Sequence, residues 1–108
     1  MSKHPSLYED FRAEFPDVAE RYQQLGDVTR TAGPRDGRTA ELCKLAMSIA
    51  AGAEGGTHSH TRRALSAGAT REELMHVALL AITTLGFPRA MTGLAWIRDV
   101  TDAVAAKG

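Results

Sequence analysis

The chain has 108 residues, 44% hydrophobic and 24% charged, with thirteen basic and thirteen acidic side chains and no net charge. This fits one domain with a small core, and the charge balance removes any broad attraction to nucleic acid or anionic membrane. A single cysteine, Cys43, excludes an internal disulfide, no apolar run approaches the ~18 residues of a membrane span, and Met1-Ser2-Lys3-His4-Pro5 has no leader character, so a cytoplasmic location is expected.

Strand-like alternation is missing and alanine, the best helix former, is abundant, so the expected fold is an all-α bundle of about six helices. After a loose tail holding His4, residues 5–14 give a short first helix with Leu7, Tyr8 and Phe11 on one side. Pro16 suits the first turn of a second helix, along which Val18, Tyr22 and Leu25 recur at helical spacing. Gly33-Pro34 breaks the chain, and Asp36 is the expected N-cap of a third helix reaching about residue 53. The apolar face of that helix is Leu42, Leu45, Ala46, Ile49 and Ala53, and Gly52, Gly55 and Gly56 mark its frayed end. A fourth helix is expected over 57–67, stopped by Gly68.

Thr70-Arg71-Glu72-Glu73 has the capping-box pattern and opens a fifth helix with Leu74, Val77, Ala78, Ala81, Ile82 and Leu85 on one face. Leu79 and Leu80 fall off that face. Gly86-Phe87-Pro88 ends it and begins a last helix carrying Ala90, Met91, Leu94, Ala95 and Ile97, with Trp96 elsewhere on its surface. Connections of a few residues favour antiparallel neighbouring helices. The surplus apolar surface on the last two helices predicts a symmetric homo-oligomer.

The chemistry concentrates in Ala53-Glu54-Gly55-Gly56-Thr57-His58-Ser59-His60. Glu41 and His60 each fall about one turn into their helices, and their faces can approach if the two helices pack as a hairpin, at a distance the sequence does not fix. A carboxylate that orients an imidazole and favours its charged form makes a proton relay; the alternative is a structural ion pair. His58 and His60 are about 200° apart on a regular helix. They converge on one metal ion, with Glu41 as an oxygen ligand, only if the segment is a non-helical turn. Gly55 and Gly56 ahead of a helix start leave free N–H groups, so Gly56, Thr57 and His58 are candidates for binding a carboxylate substrate. Cys43 has no thiol partner and is expected to be apolar filler. His76 is expected to be packed or at an interface, and Met47, Met75, Met91 and Trp96 to be core or interface.

The run Glu41-Leu42-Cys43-Lys44-Leu45-Ala46, then His60-Thr61-Arg62-Arg63-Ala64-Leu65-Ser66-Ala67-Gly68-Ala69-Thr70-Arg71-Glu72-Glu73, and then Gly86-Phe87-Pro88-Arg89-Ala90, resembles the carboxymuconolactone decarboxylase-like superfamily over roughly residues 35–100. The resemblance makes 1–108 a single domain with 1–34 as a helical extension, and implies a helical hairpin core assembled as trimers or hexamers. In its alkyl hydroperoxidase D branch, a histidine follows a CxxC pair by four residues and a glutamate precedes that pair by twelve. By that spacing His60 and Glu41 match, while the cysteine positions fall on Ala53 and Gly56. Without thiolates a disulfide cycle is closed, so thiol peroxidase activity is disfavoured. The decarboxylase branch has no CxxC and converts a carboxylated muconolactone to an enol-lactone without a cofactor. The expectation is therefore a cofactor-free lyase- or isomerase-like enzyme acting on a small carboxylated or lactone-type substrate. His60 and Glu41 would be catalytic and His58, Gly56 and Thr57 substrate-binding. The alternatives are a member binding a divalent metal through His58, His60 and Glu41, or a non-catalytic binding protein.

Overall fold

A computed structural model describes residues 4–107, with side chains from Leu7 onward. Met1-Ser2-Lys3, part of the stretch searched for a leader, lies outside the described residues. The order is α1 (His4–Glu14), α2 (Pro16–Thr31), α3 (Gly37–Ala51), α4 (Glu54–Ser66), α5 (Arg71–Leu85) and α6 (Phe87–Lys107). There is no strand among the described residues, and none of these helices is long and apolar enough to cross a membrane. The chain divides into two compact units, one ending at Arg35 and one starting at Asp36.

In the first unit α1 and α2 pack on each other. His4, expected in a tail, is the first residue of α1. Phe11 and Phe15 make a tilted ring contact of 5.7 Å where the two helices meet, and Pro16 occupies the first turn of α2 as its fixed φ favours. Val18, Tyr22 and Leu25 form the predicted stripe and are exposed.

The second unit is built of two helical hairpins, α3 with α4 and α5 with α6. Asp36 caps α3, its carboxylate accepting from the Thr39 N–H at 2.7 Å. At the far end Gly52 turns left-handed at φ 70°, while the N–H groups of Gly52 and Ala53 close on the carbonyls of Ile49 and Ser48. Gly68, at φ 101°, ends α4 with the same double closure onto Leu65 and Ala64. The capping box of α5 is complete: Glu73 donates its N–H to Thr70 Oγ1 and accepts the Thr70 N–H. The second oxygen of Glu73 accepts from Arg38 at 2.9 Å, tying the start of α5 to α3.

Leu45, Ile49, Ala64, Ala69, Leu74, Ala78 and Ile97 make the core, with Leu42, Leu65, Met75, Val77 and Leu94 packed around it. Each fully buried Leu or Ile contributes about 1.5–3 kcal/mol relative to exposure. α6 approaches α3 closely because Gly93 has no side chain: a Cβ there would lie 2.7 Å from Ile49 Cγ2. Ala46 and Ala95, expected in the core, are exposed. The inward stripe of α3 is instead Glu41, Leu45 and Ile49, successive turns of one face, so an acid occupies the first place of an otherwise apolar row.

Candidate functional site

α4 starts at Glu54, three residues before the expected position, so Gly55 and Gly56 form its first turn and both His58 and His60 are helical. Gly56 is small for a reason: a Cβ there would lie 3.0 Å from Ser48 Oγ on α3. Thr57, Thr61 and Ala64 are the buried stripe of α4. The two threonines tolerate burial because their hydroxyls donate to the carbonyls one turn back, Thr57 to Ala53 at 2.8 Å and Thr61 to Thr57 at 2.7 Å.

On one side of that stripe α4 faces α3, and there His60 Nδ1 lies 2.7 Å from Glu41 Oε1. Both side chains are largely withdrawn from solvent, 16% exposed for His60 and 6% for Glu41. An ionised carboxylate only accepts, so the ring donates from Nδ1 and its lone pair falls on Nε2. Burial holds the His60 pKa below its ordinary 6.5, against the opposing hydrogen bond and charge of Glu41; Lys44 and Arg63 add to the lowering. The imidazole is thus neutral near pH 7, with a fixed tautomer and Nε2 as its proton-accepting atom.

His58 goes the other way. Two residues from His60, it turns to α6, where Nε2 lies 2.9 Å from Asp99 Oδ2. The predicted set of His58, His60 and Glu41 is therefore split between two faces of one helix, and the non-helical turn that would have gathered it is absent. Thr57, expected to bind substrate, spends its hydroxyl on Ala53. Gly56 lies on the α3 side one turn before His60. Cys43 is exposed on α3 and not packed as filler, and His76 is exposed.

Asp99 was not singled out from the sequence, since it meets its partner across 41 residues. The Glu54–His58 spacing of four was readable, but it signals a shared face only once α4 is known to start at Glu54.

The family model for the carboxymuconolactone decarboxylase family matches residues 16–99, beginning at the first residue of α2 and not near residue 35. No curated protein and no solved structure matches the chain.

Proposed function

From the chain's membership of the carboxymuconolactone decarboxylase family, we propose that it is an enzyme using His60 as general acid–base and Glu41 as the residue that orients it and stabilises its charged form once a proton is taken up. The observation that carries this is the 2.7 Å contact between His60 Nδ1 and a buried carboxylate. A neutral imidazole takes a proton at Nε2, Glu41 stabilises the imidazolium, and the proton is returned to a second substrate atom. On a carboxylated muconolactone the bond to the carboxylate breaks and carbon dioxide leaves, the electron pair moves through the ring double bond, and the returned proton goes to the carbon beside the lactone carbonyl, which gives the enol-lactone. The proton taken first comes from the substrate or from water. No redox group or metal enters these steps.

Thiol peroxidase chemistry is not part of the proposal. Ala53 and Gly56 supply no sulfur, and Cys43 stands alone on α3.

The same proposal has the chain acting as a homo-oligomer. Leu79, Leu80 and Phe87 are exposed on α5 and α6, and contact between copies would cover them; light scattering behind size exclusion tests this.

Activity is tested with a carboxylated muconolactone in heavy water, following carbon dioxide release and deuterium incorporation at carbon by NMR. Turnover that falls ~10²–10⁴-fold in His60→Ala is the expected result. Turnover equal in wild type and His60→Ala would remove His60 from the chemistry.

A further inference from the structure

The face of α4 opposite the relay carries a second group of donors. Glu54, His58 and Asp99 each bring one ligand atom to within 4.8 Å of the other two. Glu54 and His58 are one turn apart and share a face of α4, while Asp99 reaches them from α6. The imidazole is the fixed member, 8% exposed, and Asp99 is the adjustable one, 58% exposed.

We infer that Glu54, His58 and Asp99 form a binding site for a divalent first-row transition ion of the zinc type, separate from the Glu41–His60 relay. The donor set is one imidazole nitrogen and two carboxylates with no sulfur, which suits such an ion. Two ionised carboxylates and a neutral ring balance its charge. Bonds of ~2.1 Å to a tetrahedral ion place the donors roughly 3.4 Å apart. The 2.9 Å between His58 and Asp99 therefore opens slightly as the ion enters, a movement an exposed aspartate makes by side-chain rotation. Nε2 binds the ion through its lone pair, so the ring carries its proton on Nδ1 in the loaded form. Three protein ligands leave further positions for water. Magnesium and calcium prefer all-oxygen cages and are poorly served by this imidazole. The ion would cross-link α4 to α6, so its binding registers as stability whether or not the protein turns anything over.

The test uses tag-free full-length protein, stripped with chelator and dialysed, then titrated with zinc chloride alone by calorimetry and followed by thermal unfolding. One ion per chain and a raised unfolding midpoint are expected, with magnesium chloride producing neither. His58 is buried and its removal risks the fold, so the variants are Glu54→Gln and Asp99→Asn, both at exposed positions. Each is expected to weaken zinc binding ~10-fold or more, the scale on which even outer partners of a metal site act. Glu41→Gln is expected to keep it. The proposal is overturned by the absence of saturable zinc binding, by binding that survives both Glu54→Gln and Asp99→Asn, or by magnesium acting as zinc does. It is equally overturned if Glu41→Gln, folded by circular dichroism, loses zinc as Asp99→Asn does, which would return the ion to the relay face.

Discussion

Two faces of α4 carry the same pairing, an imidazole with a carboxylate from a neighbouring helix, at two depths. Toward α3, His60 meets Glu41, whose side chain is 6% exposed. Toward α6, His58 meets Asp99, whose side chain is 58% exposed. The contacts are of similar length, 2.7 and 2.9 Å, so distance does not separate them. What differs is the medium. Around Glu41 little water competes, and its charge is felt strongly by the ring. Around Asp99 water and salt screen the charge and the side chain is free to rotate. A fixed, shielded pair suits moving a proton to a defined atom, and an open pair suits rearranging around a third charge.

The largest effect that tests this contrast is on turnover. Glu41→Gln keeps the shape of the side chain but removes the charge that fixes the His60 tautomer and stabilises its imidazolium, and is expected to lower kcat by ~10²–10⁴-fold. A change confined to a raised KM, with kcat unaltered, would make Glu41 a substrate contact and not a partner of His60.

Next comes stability. Glu41→Ala leaves the N–H of a buried neutral imidazole without its acceptor and is expected to cost about 1–3 kcal/mol. Asp99→Ala leaves water free to replace the lost oxygen and is expected to cost ~1 kcal/mol or less. Urea midpoints of the two variants measure this directly, and equal losses would erase the distinction between the faces.

A smaller change tests the α3 face alone. A Cβ at Gly56 would lie 3.4 Å from the Ala53 Cβ, at the edge of the spacing that a disulfide spans. The double variant Ala53→Cys/Gly56→Cys is expected to oxidise, leaving Cys43 as the one titratable thiol. Crowding against Ser48 works against a gain in stability, which is capped at about 2 kcal/mol for so short a loop. Three titratable thiols after mild oxidation would show that α4 does not hold the two positions together.

The finest test is pH. Since burial lowers the His60 pKa in the fold, the unfolded chain binds the proton first as pH falls below 6.5. Stability is then lost with falling pH through the window beneath that value, and is flat above it so far as His60 is concerned. Subtracting the stability curve of His60→Gln from that of the wild type isolates the contribution, and a difference curve of opposite slope would mean that Glu41 outweighs burial.

Much of this architecture was legible because helix ends have local chemistry. Pro16, Asp36, Gly68 and the Thr70/Glu73 box each mark a boundary through their own backbone preferences. Helix positions allowed Glu41 and His60 to approach and the family resemblance matched them as partners, while the packing of α4 on α3 sets the 2.7 Å between them. The start of α4 was misjudged because Gly55-Gly56 reads as a breaker, whereas the tight approach of Ser48 makes a glycine at 56 the residue that lets α4 pack there. Asp99 was invisible for a different reason: pairing across 41 residues leaves no trace in local pattern. Gly93 hid likewise, since its burial reflects the shape of Ile49 and not its own hydrophobicity, and the exposed Ala46 shows how little a small apolar residue says about which way it faces.

The early start of α4 also bears on inheritance. Because no loop separates the glycines from the histidines, one extra residue between Gly56 and His58 would turn Glu54 away from His58, and Gly56 away from Ser48, by about 100°. Ala53 can change identity while the relay stays where it is, and Gly56 only as far as Ser48 can give way, but no change of length inside this turn leaves both pairs intact. The turn therefore tolerates a change of length less than a change of side chain at a position such as Ala53, because an insertion breaks every contact on both faces at once.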